Sequence, residues 1–246
     1  MGFRLLRSAD GSCDSILGEV AEARSEALSA TLDSLRHAGL QHVAARVDVA
    51  DVRTIRLVQA HGFRLMSGLS TYAARPLKEP PKAVSPFGKI RLMRHGDGPG
   101  LIALARHAFQ GVPNRFNADG DLPQDRVDEF YPEWAKQCVS GRMADVVHVA
   151  EDEEDGTLLG FVAVKRVEPV STKSGAPLFG NGLAACRPDK PGAYRGLARA
   201  SVLWIHERGG IAEAQTGFDN FPAIAVYEDV GFRLRRLEYQ FHLVLR

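Results

Sequence analysis

Residues 211–237 read IAEAQTGFDNFPAIAVYEDVGFRLRRL, and residues 42–68 read HVAARVDVADVRTIRLVQAHGFRLMSG. The two stretches align without a gap at a spacing of 169, the number of Gly231 minus that of Gly62. Gly62-Phe63-Arg64-Leu65 then falls on Gly231-Phe232-Arg233-Leu234, Ile55 on Ile224, and Asp51 on Asn220. Each stretch reads as strand, short loop, helix, glycine turn and strand. Val43, Ala45 and Val47 alternate, as do Ala212, Ala214 and Thr216, which is the strand period of two. Asn220, Ala223, Ile224 and Tyr227 recur at helical spacing and predict one shared helix face. Gly62 and Gly231 stand where a helix ends in a residue tolerant of positive φ. An amphipathic helix closed by glycine precedes each copy, Val20 to Ala38 before Gly39 and Ala198 to Arg208 before Gly209. The shared order of elements predicts a duplication.

Working outward, Arg75-Pro-Leu-Lys-Glu-Pro-Pro-Lys-Ala-Val-Ser-Pro-Phe-Gly-Lys89 has four prolines and little periodicity, so residues 77–89 read as an extended linker. Residues 1–76 form the first half and residues 90–246 the second. The second half opens with a strand at Ile90 to Met93, a helix from Pro99 to Phe109, a polar loop from Gly111 to Gln124 and a helix from Asp125 to Ser140. Strands follow at Val146 to Ala150 and Leu158 to Val167, joined by the acidic turn Glu151 to Gly156, a solvated hairpin tip. A loop rich in Ser, Gly and Pro (Glu168 to Phe179) leads to a strand around Gly182 to Cys186. The expected fold class is α/β (α+β): a mixed, mostly antiparallel central sheet flanked by helices.

Composition narrows the function. The chain of 246 residues is 45% hydrophobic and 25% charged, which suits a globular protein, and its net charge of +1 gives no global attraction to nucleic acid or an acidic membrane. An anionic ligand therefore needs a local site. Cys13, Cys138 and Cys186 are widely spaced with no CxxC pair, and the eight histidines lack metal-ligand spacing, so no metal is expected. No apolar run reaches bilayer length, and Leu6 stands where a myristoylation signal needs Ser or Thr, so a cytoplasmic protein is expected. The sequence leaves monomer and homodimer both open.

The order of elements in the second half, the loop Pro191-Gly-Ala-Tyr-Arg-Gly-Leu-Ala198, Asn220, and Tyr227 followed by Glu228-Asp-Val-Gly-Phe232 together resemble the GNAT superfamily of acetyl-CoA-dependent N-acetyltransferases. The resemblance covers roughly residues 90–246, with a degenerate partial copy before it. Within that superfamily the chain is similar to nucleotide-sugar N-acetyltransferases of the dTDP-fucosamine acetyltransferase type, through Asn114-Arg115-Phe116, Phe130-Tyr131-Pro132-Glu133-Trp134 and Asn220 to Tyr227. What this implies is an enzyme that transfers acetyl from acetyl-CoA to the primary amine of a small acceptor. An amino acid, polyamine, antibiotic or peptide amine remains an alternative acceptor, and a non-enzymatic acyl-CoA sensor an alternative function.

The resemblance also assigns residues. Gly192, Gly196 and Ala198, with Leu197 and Arg195, would meet the pyrophosphate of coenzyme A at a helix N-terminus, where free backbone N–H groups and the helix dipole favour anions. Three residues before Gly196, where the family has Arg or Gln, this chain has Ala193. The pantetheine arm would add like a strand along a sheet edge at Leu183, Ala185 and Cys186, with Asn220 nearby. Tyr227 is the expected general acid toward the departing thiolate; the alternative makes it a core aromatic. Transfer from a tyrosine near pKa 10 to a thiolate near 8.5 is uphill by about 2 kcal/mol, so a hydrogen bond that strengthens as the C–S bond breaks is the expected form of help. Arg115 and Tyr131 are the expected acceptor-binding residues, in a region that also holds Arg126 and Trp134. In the first half Val58 stands at the position of Tyr227 and has no proton to give, so that half is expected to be non-catalytic. No residue declares itself as the base; Glu168 and Glu213 read equally well as surface ion pairs.

Overall fold

The computed structural model describes residues 17–75, 88–112, 114–167, 175–190 and 192–245, with the backbone alone for 17–22. Most of the proline-rich join, Glu168, Pro191 and Cys13 lie outside the described residues. The first elements are α1 (Leu17–His37), β1 (His42–Asp48), α2 (Val52–Ala60) and β2 (Arg64–Ala74). Next come β3 (Lys89–Leu92), α3 (Gly98–Phe109), α4 (Gln124–Val139), β4 (Val146–Glu151), β5 (Leu158–Arg166) and β6 (Leu178–Cys186). The last are α5 (Ala193–His206), β7 (Ile211–Gly217), α6 (Phe221–Val230) and β8 (Arg233–Val244).

The two quoted stretches fold alike down to their hydrogen bonds. β1, α2 and β2 begin 169 residues before β7, α6 and β8. Asp51 caps α2 by accepting from the Thr54 amide, and Asn220 caps α6 by accepting from the Ala223 amide. Such a cap satisfies one orphan N–H and contributes about 1 kcal/mol. At the other end Gly62 (φ 83°) and Gly231 (φ 97°) turn the chain, and the amides of Phe63 and Phe232 return to the carbonyls of Val58 and Tyr227.

The strands form an eight-stranded sheet in the order β1-β8-β2-β7-β6-β5-β4-β3. β1 pairs antiparallel with β8, from His42 opposite Val244 to Asp48 opposite Glu238. The β3–β4, β4–β5 and β5–β6 pairs are also antiparallel, whereas β6 and β7 are parallel. The closing strands of the two similar stretches are therefore exchanged: β8 lies between β1 and β2, and β2 lies beside β7.

The described residues divide into two compact units. One takes its residues from Met1–Leu69, Asn114–Asp121 and Leu237–Arg246, the other from Ser70–Pro113 and Leu122–Arg236, so β2 and β8 each run from one unit into the other. In the first unit Val43, Ala45 and Val47 bury one face of β1 against Leu28 and Leu32 of α1, Val58 of α2, Phe63 and Phe241. The opposite face of β8 is polar but also buried, at Glu238, Gln240 and His242. In the second unit β5 is covered on both faces. Val162 and Val164 pack with Leu197, Val202 and Ile205 of α5, while Phe161 and Ala163 pack with Leu101, Leu104 and Ala105 of α3. Each such Val, Leu, Ile or Phe side chain contributes about 1.5–3 kcal/mol of transfer free energy, and together they seat β5 between α5 and α3.

Candidate active site

β6 and β7 hydrogen-bond only from Leu178 opposite Ile211 to Asn181 opposite Ala214. Beyond that point β6 continues to Cys186 paired with β5 alone, Leu183 opposite Ala163, Ala185 opposite Phe161 and Cys186 opposite Gly160. The sequence predicted a sheet edge at Leu183 to Cys186; β6 is an interior strand of the sheet, with a local edge there, opened where β7 diverges. On that side the backbone groups of residues 182–186 have no β7 ladder partner among the described residues. Gly160 permits the arrangement, since a Cβ there would fall 2.4 Å from Cys186 Sγ and 3.0 Å from the Ala185 carbonyl oxygen.

Tyr227 of α6 lies beside the point of divergence. Its side chain is buried, 3% exposed, and its hydroxyl donates to the carbonyl of Gln215, the residue after Ala214, at 3.4 Å. The same hydroxyl accepts from Tyr194 Oη at 3.1 Å. Tyr72 and Phe232 flank its ring, each with its centroid 5.3 Å away. Burial raises the pKa of Tyr227, partly offset by the Tyr194 hydrogen bond, and burial raises that of Tyr194 further. Both phenols therefore keep their protons at neutral pH and are donors, not bases. Burial also pushes the Cys186 thiol up to about 12, so it is no thiolate nucleophile. Tyr194 sits inside the glycine-containing loop motif, yet nothing in its spacing signals that α5 brings it onto Tyr227.

The loop after β6 is braced. The Arg187 amide donates to the Leu159 carbonyl, and its guanidinium grips Asp189 at 2.8 Å. Gly192 caps α5 with φ −75°, a helical value open to any residue. Gly196, Leu197 and Ala198 are buried, and the Leu197 and Ala198 side chains belong to the core. Arg195 is half exposed and lies 3.5 Å from Asp229. Asn220 is occupied at both ends, accepting from Ala223 and donating to Thr216 Oγ1 at 2.8 Å. A cleft of about 500 Å³ is lined by Gly100, Leu104, His107, Leu158, Arg187 and Asp189; it meets the start of this loop and includes neither Tyr227 nor Tyr194.

The expected acceptor residues fall in different units and are described apart. Arg115 lies over the Phe116 ring, 4.5 Å from its centroid. Tyr131 of α4 stacks on Phe109 at 3.8 Å and meets Phe130 and Trp134, so it packs as part of an aromatic cluster. Glu213 on β7 lies opposite Gly180. Spacing in the sequence gave no metal set, yet the fold brings His42, Asp119 and His242 together.

No family model matches the chain. It is 24% identical over 204 residues to the spore coat polysaccharide biosynthesis protein SpsD of Bacillus subtilis, covering 82% of this chain and 66% of that protein. It is 30% identical over 141 residues to the mycothiol acetyltransferase of Brachybacterium faecium, covering 56% of this chain and 37% of that one. The chain thus spans about two thirds and about a third of these relatives. Among solved structures it superposes with a TM-score of 0.58 and 16% identity on a tandem GNAT protein from the clavulanic acid biosynthesis pathway, covering 89% of this chain and 69% of that chain. This chain has the GNAT fold. Within that GNAT fold, the parting of β6 and β7 and the tyrosine beside it are the features on which chemistry can be built.

Proposed function

We propose that the chain is an acyl-CoA-dependent N-acetyltransferase that passes acetyl directly to the primary amine of a small acceptor. The observation that carries this reading is the Tyr227 hydroxyl, held protonated beside the local opening between β6 and β7. The thioester co-substrate fits that opening by its chemistry. Its pantetheine arm bears amides, and the β7-facing backbone of residues 182–186 offers N–H and C=O groups in strand geometry. Its phosphates suit the start of α5, with Arg187, Lys190 and Arg195 on the preceding loop and first turn.

In this mechanism the neutral amine attacks the thioester carbonyl and a β6 backbone N–H steadies the oxyanion. As the intermediate collapses the nitrogen gives one proton to water, the C–S bond breaks, and coenzyme A leaves as a thiolate stabilised by the Tyr227 hydroxyl, turned from the Gln215 carbonyl toward the sulfur. Tyr194 keeps donating to Tyr227 throughout, which favours the phenol oxygen carrying negative charge. Cys186, protonated at neutral pH, supports direct attack over a covalent acyl-cysteine. A nucleotide-linked amino sugar is the preferred acceptor, and the polysaccharide role in the name of the SpsD relative supports a sugar. The first half, with Val58 where the second has Tyr227, is proposed to be a non-catalytic copy.

Thiol release from acetyl-CoA against a panel of amines tests the proposal. Tyr227→Phe should bind acetyl-CoA as the wild type does and turn over at least about tenfold more slowly. Equal rates would remove Tyr227 from the mechanism. Failure of the wild type to bind acetyl-CoA at all would overturn the enzyme reading.

A further inference from the structure

His42, Asp119 and His242 are separated by 77 and 123 positions in sequence, and all lie in the first unit. The ladder explains how the histidines meet. His42 faces Val244 and His242 faces Ala44, so the two are diagonal neighbours on one face of the β1–β8 pair. Their ring centroids are 4.5 Å apart and nearly perpendicular. The segment 114–121 then delivers Asp119, whose side chain is 0% exposed. One carboxylate oxygen, Oδ2, receives both rings, His42 Nε2 at 3.1 Å and His242 Nδ1 at 2.8 Å.

We propose that His42 Nε2, Asp119 Oδ2 and His242 Nδ1 are three ligands of a divalent transition-metal ion of the Zn²⁺ class, tying β1, segment 114–121 and β8 together. One ligand atom from each residue already lies within 4.8 Å of the others. Tetrahedral coordination at about 2.0–2.2 Å sets neighbouring ligand atoms about 3.3–3.6 Å apart, so seating an ion opens the two close contacts by roughly half an ångström. Two imidazoles and one carboxylate suit Zn²⁺ and exclude Mg²⁺ or Ca²⁺, which take oxygen ligands. The outer shell is present. Asp119 Oδ1 accepts from Arg64 at 2.9 Å and from the Asp121 amide at 3.2 Å, which fixes the carboxylate while leaving Oδ2 to the ion.

His242 adds an independent observation. The ring is 0% exposed, yet its Nε2 has no partner among the described residues. An imidazolium there would bury an N–H with no acceptor, so the ring is held neutral, the form that ligates. On metal binding each ring keeps one proton on the nitrogen away from the ion; for His242 that is the unpartnered Nε2, whose buried N–H is a cost that the metal bonds must exceed. His42, a quarter exposed, opens the cluster to solvent on one side and leaves a fourth position for water.

The test uses the full chain, stripped with a chelator and titrated with Zn²⁺ against a chromophoric competitor. The expected result is one Zn²⁺ per chain, a thermal midpoint raised by Zn²⁺, and at least tenfold weaker binding in His42→Ala. Should His42→Ala fail to fold, His42→Gln keeps a donor toward Asp119 without an imidazole ligand and is expected to show the same loss. Co²⁺ loading should give the visible absorption of a tetrahedral site in the wild type alone. Wild-type binding no tighter than that of the histidine variant, or no stoichiometric binding, overturns the proposal and leaves a hydrogen-bonded clasp only.

Discussion

The sharpest contrasts between neighbouring residues come from burial. His148 of β4 is 6% exposed beside Ser201, and burial, with some help from the charge of Arg208, lowers its pKa to about 4. An unfolded imidazole takes its proton near 6.5. Between those values the unfolded chain binds more protons than the folded one, so stability falls as the pH drops from 7 toward 4. Asp97 and Asp145 have pKa values below the usual carboxylate range, so their linked loss comes only at lower pH. Thermal denaturation should therefore show a midpoint that falls between pH 7 and pH 5, and His148→Gln should flatten part of that slope. Half-buried His206 and buried His242, also lowered, account for a remainder. An unchanged slope in His148→Gln would mean that His148 is not the titrating group. The buried face of α6 that carries Ala223 and Tyr227 was legible from helical spacing. Tyr194, Tyr72 and the His42–Asp119–His242 cluster were not, because only long-range strand order brings them into contact.

At the scale of elements, glycine positions separate two kinds of constraint. Gly231 ends α6 at φ 97°, so Gly231→Ala should destabilise the fold by about 1–2 kcal/mol, read from urea unfolding, through backbone strain alone. Gly160 has ordinary backbone but no room, so Gly160→Ala must displace Cys186 or Leu197. It should cost roughly 1–3 kcal/mol. Cys186→Ala in the same chain should restore part of the loss, a coupling that a double-mutant cycle measures. Additive effects would place the strain elsewhere. Helices and strands were readable from period and caps, because Asp51 and Asn220 do the same job at matched positions. Which neighbour opens the local edge of β6 was not legible, since period alone does not tell which neighbour a strand leaves.

At the scale of the whole molecule, the strand order makes the two similar stretches mutually dependent. β8 has β1 and β2 as its neighbours, and both precede residue 76. Residues 90–246 expressed alone should therefore lack a cooperative thermal transition, and co-expression with residues 1–89 should restore it. A cooperatively folded 90–246 fragment would show that β8 finds another partner. The two matched stretches were legible from the repeat; the exchange of their last strands was not, because two copies of one pattern look the same whether each keeps or trades its last strand.

That exchange has a consequence for how the chain is made. β8 begins 169 residues after β2, so β1 and β2 leave the ribosome long before the strand that will lie between them. At about 5–20 residues per second the slot waits roughly 10–35 s. During that interval the nascent chain carries two strand edges that no local hairpin can close, and edges of this kind recruit other chains. Completion of the β1–β8–β2 part of the sheet is thus a late, long-range event, and until β8 is made that slot is an aggregation-prone edge.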